Sequence, residues 1–220
     1  MRDAKRSRQV SDLGVRGNAS AVLALRRAPA HPPGAPARPW VATAARRLAR
    51  TLFEAALRAG LVRRWLTWRA RSAWGRRSPI AFVCLGNICR SPFAERVARD
   101  LDVERGKRFL SAGFVPVAGR RSPPQAVQAA DRQDVDLLAH RSRPVDEHLV
   151  RTARAIYVFD RGNWVAMVRR YPRAALRVHP IGALADAGEL FISDPFGQGD
   201  GAYEETYAQI ERALRQVAHR

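Results

Sequence analysis

The sequence predicts an α/β fold: a parallel sheet covered by helices on both faces, preceded by a basic extension. Three observations lead there. From residue 79 onward, short apolar runs rich in β-formers alternate with helical patterns, as in successive βαβ units. The first run, Ile80-Ala81-Phe82-Val83, ends in a loop, Cys84-Leu85-Gly86-Asn87-Ile88-Cys89-Arg90-Ser91, that opens into a helix near Pro92. Open α/β sheets bind their ligands at this carboxyl edge of the strands. Charge divides the chain as well: residues 1–78 carry 18 Lys+Arg against 3 Asp+Glu, a net of +15, whereas residues 79–220 carry 21 against 17, a net of +4.

The elements follow in order. Residues 1–39, rich in Arg, Ala, Pro, Ser and Gly, have the composition of a disordered basic tail. Residues 40–78 read as an amphipathic basic helix and a linker. Leu48, Leu52, Phe53, Ala56, Leu57, Leu61 and Trp65 recur three and four apart with arginines between them, and Gly60 marks an interruption. Residues 79–220 are long enough for one domain with a full core. Its strands are expected at 80–84, 108–111, 155–159 and 176–181, and its helices at 92–103, 123–134, 145–152, 161–170 and 202–218, with Asp160 as the cap of the 161–170 helix.

Composition excludes several classes. The only cysteines are Cys84 and Cys89, both in one loop, so a secreted disulfide framework is ruled out and a reducing compartment is expected. No run approaches the roughly 18 apolar residues of a membrane span. The Ala21–Leu25 run is too short for a signal peptide and is followed by Arg26-Arg27, so the expected location is cytoplasmic. The five histidines and two cysteines show no metal-ligand spacing, and no metal or other cofactor is expected.

The loop carries the chemistry. Backbone N–H groups of a tight turn at a helix N-terminus can point together at phosphate oxygens, and Arg90 can grip two of those oxygens with its planar fork. The same positive field favours Cys84 as a thiolate nucleophile. Gly86 permits close backbone approach, Asn87 can fix a strained turn, and the Ser91 hydroxyl can donate to the thiolate. A second element, Ser193-Asp194-Pro195-Phe196-Gly197, supplies a carboxylate suited to protonate a leaving group and then to activate water. Alone, that segment reads as no more than a turn.

Together these residues resemble the low-molecular-weight protein tyrosine phosphatase family. Val83 to Pro92 meets its signature, Val-Cys-x-Gly-Asn-x-Cys-Arg-Ser-Pro, in full, and Asp194-Pro195-Phe196 meets its acid loop. Ser111-Ala112-Gly113, His140-x-x-Arg143 and Val158-Phe159-Asp160 look like further landmarks, although Phe159 stands where Met is common. The resemblance covers about residues 79–220 and leaves the N-terminal extension outside the fold. It implies a four-stranded parallel sheet and a metal-free reaction through a phosphocysteine on Cys84. Arg90 and the loop residues Leu85, Gly86, Asn87, Ile88, Cys89 and Ser91 would bind phosphate, and Asp194 would be the general acid and base. Ile88, Val117 and Phe196 would wall an aromatic slot. Cys89 is either a packing residue or, as the family pattern favours, a thiol that traps oxidised Cys84 as a disulfide.

Three chemistries share this scaffold. Arsenate reductases of this type need two further downstream cysteines, and none follows Cys89. Protein arginine phosphatases often carry the Asp-Pro-Phe-Gly loop found here, but typically place Thr where this chain has Ile88. Phosphotyrosine therefore leads and phosphoarginine is the alternative. The implied partners are tyrosine-phosphorylated proteins, a bacterial tyrosine kinase among them by family analogy. For the extension, an anionic membrane surface met by residues 40–74, with Trp65, Trp68 and Trp74 at the interface, is weighed against nucleic acid, which is disfavoured, and against no binding role. A phosphotyrosine-binding membrane adaptor is the non-enzymatic alternative.

Overall fold

A computed structural model describes residues 51, 55, 60–76, 79–102 and 106–218. The expected disordered tail, 1–39, and most of the 40–59 part of the expected helix lie outside the described residues. The element order is α1 (Leu61–Arg76), β1 (Ile80–Cys84), α2 (Arg90–Leu101), β2 (Phe109–Gly113), α3 (Pro124–Asp131), α4 (Glu147–Thr152), β3 (Ala155–Val158), α5 (Arg161–Arg170), β4 (Val178–Pro180) and α6 (Asp200–Ala218). Short 3₁₀ turns at Pro172–Arg177 and Ile181–Leu184 flank β4.

The four strands form one parallel sheet in the order β2-β1-β3-β4, as the resemblance implied. Strand period divides the buried side chains between two faces. Ile80, Phe82, Cys84 and Tyr157 join one apolar cluster with residues of α1, α2, α3 and α6. Ala81, Val83, Ile156 and Val158 join the other with residues of α4 and α5. Both faces are thus covered, and β1 is buried at every position, which is why its sequence is continuously apolar.

Element boundaries track local chemistry. β1 and α5 lie where the sequence places them, and the Asp160 carboxylate caps α5 by accepting from Asn163 N at 2.7 Å. β2 runs two residues further than expected, to Gly113. Ala112 and Gly113 have little β propensity, but pairing of Val83 with Ala112 and Cys84 with Gly113 carries the ladder to the loop. A Cβ on Gly113 would lie 2.7 Å from Asn87 N, so only glycine lets β2 come this close to the loop between β1 and α2.

The N-terminal helix corrects two expectations. α1 begins after Gly60, whose φ of +70° ends any preceding helical run, and it belongs to the same unit as the sheet. Leu66, Ala70 and Trp74 are buried in the core, where Trp74 meets Phe109, Tyr157 and Phe82 at ring-centroid distances of 5.5, 5.9 and 6.4 Å. The Tyr157 hydroxyl donates to Ala70 O at 2.7 Å. This part of the extension is therefore inside the fold, and Trp74 is a core residue rather than an interfacial one. Trp65 and Trp68 do remain exposed. The aromatic surface of β1, β2 and β3 is wide enough to need a cover, and Trp74 provides it.

Candidate active site

The loop between β1 and α2 is held by a buried polar network. Asn87 sits at its centre with φ of +53°, a left-handed conformation that Asn tolerates better than most side chains. Its Nδ2 donates to Ser91 Oγ at 3.0 Å and to Ser111 Oγ at 2.9 Å, while its Oδ1 accepts from Arg143 N at 2.8 Å. Ser111 in turn donates to Glu95 Oε2 at 2.5 Å. From outside, Phe114 N and Val115 N donate to the carbonyls of Cys84 and Leu85 at 3.2 and 3.0 Å.

Cys84 Sγ lies 3.0 Å from Ser91 Oγ and accepts from Asn87 N at 3.2 Å. Ser91 Oγ accepts from Asn87 Nδ2, and its own hydrogen has two acceptors within reach, Cys84 Sγ at 3.0 Å and Ala112 O at 3.3 Å. Cys89, the N-cap residue of α2, makes no side-chain cap, so the first-turn amides of α2 are left without one. Burial, followed by the charges of Cys84 and Asp194, pushes the Cys89 thiol far up. Both cysteines are buried and free.

Arg90 joins the loop to two distant carboxylates. Its guanidinium is 1% exposed and contacts Asp160 Oδ2 at 2.8 Å through Nη1 and Asp194 Oδ2 at 2.7 Å through Nη2. Nη1 also donates to Ile192 O at 3.1 Å, whereas the buried Nε has no hydrogen-bond partner among the described residues. Burial works against the charge, but Asp194, Cys84 and Asp160 outweigh it and hold the arginine pKa above its ordinary value. Asp160 thus spends one oxygen on the α5 cap and the other on Arg90.

Three further residues, Arg120, Arg143 and His140, belong to the rim. Arg120 donates to Gly86 O through Nη2, and its pKa is lowered by burial against the opposing pull of Cys84 and Cys89. Arg143 donates through Nε to Ser111 O at 2.5 Å. His140 Nε2 lies 2.8 Å from Asn87 O, an oxygen that can only accept, so Nε2 carries the hydrogen of this bond; burial lowers the pKa of the ring. Only the His140 buttress had a local signal, its spacing from Arg143. Of the expected pocket walls, Ile88 is half-buried beside Gly86, while Val117 and Phe196 are exposed. Among the described residues no group of three or more His, Cys, Asp or Glu side chains is placed to hold a metal ion.

Comparison with known proteins gives the same picture. The family model described as Low molecular weight phosphotyrosine protein phosphatase matches residues 79–220. The probable low molecular weight protein-tyrosine-phosphatase EpsP of Ralstonia nicotianae is 30% identical over 135 residues, covering 61% of this chain and 90% of the relative. The protein-arginine-phosphatase of Bacillus subtilis is 28% identical over 141 residues, covering 63% and 93%. Among solved structures, Vibrio vulnificus Wzb in complex with benzylphosphonate superposes with a TM-score of 0.59 at 29% identity, covering 64% of this chain and 97% of that one.

Proposed function

Since the chain belongs to the low molecular weight phosphotyrosine protein phosphatase family, we propose that it hydrolyses protein phosphotyrosine through a phosphocysteine on Cys84. The observation that best supports these roles is the cluster in which the Cys84 loop, buried Arg90 and the half-buried Asp194 meet, although Arg90 and Asp194 lie 104 positions apart in the chain. An incoming phosphate dianion competes with Asp194 for the Arg90 guanidinium and takes up the unpartnered Nε. That exchange breaks the ion pair, and the freed carboxylate of Asp194 takes up a proton from solvent and turns to face the leaving oxygen. Cys84 Sγ forms a bond to phosphorus as the P–O bond to tyrosine breaks, and Asp194 gives its proton to the departing phenolate. Asp194, now a carboxylate, takes a proton from water, which attacks phosphorus and expels the thiolate, stabilised by Ser91 and Asn87 N. Arg90 and the amides of residues 85–91 hold the equatorial oxygens through both steps.

The aromatic slot is assigned to Ile88, Val117 and Phe196. One observation favours phosphoarginine as a second reading: the Asp194-Pro195-Phe196-Gly197 loop, together with the Bacillus subtilis relative. Steady-state hydrolysis of a phosphotyrosine peptide and a phosphoarginine peptide, for wild type and Cys84→Ser, separates them. The expected result is a phosphotyrosine preference that disappears in Cys84→Ser. A phosphoarginine preference with the same cysteine dependence would keep the thiolate and replace the substrate.

The substrates are tyrosine-phosphorylated proteins, with a tyrosine kinase as one candidate partner. A reducing cytoplasm suits a thiolate nucleophile, and Cys89 is assigned the trapping of oxidised Cys84 as a disulfide. No described helix is long and apolar enough to cross a membrane. Peripheral attachment to anionic lipid is proposed for the surface carrying exposed Leu61, Arg64, Trp65 and Trp68. Co-sedimentation of the full chain with anionic vesicles, but not with neutral ones, is the expected outcome; equal recovery in both supernatants would reject attachment.

A further inference from the structure

Resting on the roles proposed above for Asp194 and Arg90, we infer that α1 positions the acid loop, with Arg71 as the positioning residue. α1 does more than cover the sheet. Two of its arginines, Arg63 and Arg71, reach across to one segment, the chain between β4 and Asp194. Arg71 donates to Leu184 O through both Nε, at 3.1 Å, and Nη2, at 2.9 Å, and the same Nη2 pairs with Asp186 Oδ1 at 2.8 Å. Arg63 Nη1 donates to Gly188 O. Three carbonyl or carboxylate groups of residues 184–188 are therefore held by one helix, and the Arg71 side chain is only 17% exposed.

That segment leads rigidly to the site. It is closed at its base by Gly182, where a Cβ would lie 2.0 Å from Glu189 O and 2.7 Å from Leu190 O. From Leu190 the chain needs four residues to reach Asp194. On the way Ile192 N donates to Phe159 O at 2.6 Å, and Ile192 O accepts from Arg90. Phe191 packs edge-on against Trp164 at 5.8 Å. The acid loop thus hangs between two supports, the end of β3 at Phe159 and α1 through residues 184–190. Released from α1, the loop keeps its hold at Ile192 but loses the support that fixes the approach of residues 184–190. The position of Asp194 relative to the leaving oxygen then spreads, while the Cys84 loop, which α1 does not contact through any of these bonds, keeps its phosphate geometry.

A proton donor matters most for a poor leaving group, so its misplacement has a distinct signature. In the full-length protein, kcat/KM is measured for p-nitrophenyl phosphate, whose leaving group needs little protonation, and for phenyl phosphate, whose leaving group needs it. Wild type, Asp194→Asn, Arg71→Ala, Arg71→Lys and Asp186→Asn are compared, with inorganic phosphate inhibition and thermal midpoint recorded for each. Arg71→Ala is expected to lower kcat/KM for phenyl phosphate about ten-fold, a fraction of the full general-acid contribution, and for p-nitrophenyl phosphate by about two-fold or less. Its inhibition constant for inorganic phosphate is expected to stay within about two-fold of wild type. Arg71→Lys and Asp186→Asn, which retain part of the clamp and its packing, fall between wild type and Arg71→Ala. Equal losses on both substrates, or none on either, in a variant with a cooperative melt would overturn the inference and leave the catalytic reading standing. If Arg71→Ala does not fold, Asp186→Asn decides, because Asp186 itself is at the surface: an unchanged substrate ratio there overturns the clamp. Inactivity of wild type on both esters would overturn the catalytic reading and this inference with it.

Discussion

Asn87 shows how one side chain can set a site. It is wholly buried, holds a left-handed backbone, and makes bonds to Ser91, Ser111 and Arg143, spanning 4, 24 and 56 residues of sequence. Replacing it with Ala removes all three bonds, leaves buried hydroxyls short of a donor, and puts a β-carbon with no compensating polar group at positive φ. Asn87→Ala is expected to lose about 3 kcal/mol of stability in urea unfolding. Its kcat/KM should fall about a hundred-fold, because loop amides aimed at a transition state are sensitive to displacements well under 1 Å. Activity within two-fold of wild type would show that the network is not what shapes the loop. Arg90 makes the complementary point: two carboxylates offset its burial, and both are exposed enough at the rim to yield one oxygen contact to an incoming anion.

At the scale of elements, α1 is the departure from a fold read through its family alone. Its buried stripe, Leu66, Ala70 and Trp74, follows the i, i+4 spacing of a helix face. Its hydrophobicity is hidden in sequence by the intervening arginines, which turn out to bond backbone carbonyls rather than to face solvent alone. Trp74 is the largest of these contacts, and Lys107 Nζ lies 5.4 Å from its ring centroid. Trp74→Ala is expected to cost about 4 kcal/mol, the usual scale for deleting a buried large aromatic. The urea midpoint of the full chain measures it, and a loss below about 1 kcal/mol would mean that α1 contributes little to the fold. The sheet elements behave differently. β1 and β3 alternate faces so regularly that their register follows from which side chains must be buried.

Across the whole molecule, one buried base links stability to pH. His179 in β4 is 3% exposed, its Nδ1 has no hydrogen-bond partner among the described residues, and burial together with the Arg69 charge lowers its pKa to about 4. The ring is neutral in the fold, whereas in the unfolded chain it binds a proton below about 6.5. Between those values the unfolded state holds more protons, so stability is complete above about pH 6.5 and falls as pH drops toward 4. The loss reaches roughly 3 kcal/mol at the acid end. His179→Leu is expected to flatten this part of the stability curve relative to wild type, measured as unfolding free energy at pH 7 and 4.5. Parallel curves for the two proteins would show that another group sets the acid limit. Because Arg69 lies on α1 and also donates to Leu176 O at 2.5 Å, the extension takes part in this balance too.

The sequence by itself determined the α/β class, the first strand, the cap at Asp160 and the identity of Cys84, Arg90 and Asp194 as the proposed reacting groups. All but the last rest on local rules: strand and helix patterns in alternation, a continuously apolar first strand, an N-cap carboxylate, and a loop whose residue types serve one chemistry. Asp194, whose segment alone reads as a turn, stands out only through the family resemblance. What the tertiary structure alone decided is which distant groups complete them. The pairing of Arg90 with Asp160, Asn87 with Arg143, Arg120 with Gly86 and Arg71 with Leu184 joins positions separated by 34 to 113 residues. An arginine carries the same charge and the same five donors whether it faces water or a buried carbonyl. Its role is therefore absent from local pattern and is settled only when folding sets the acceptor within reach.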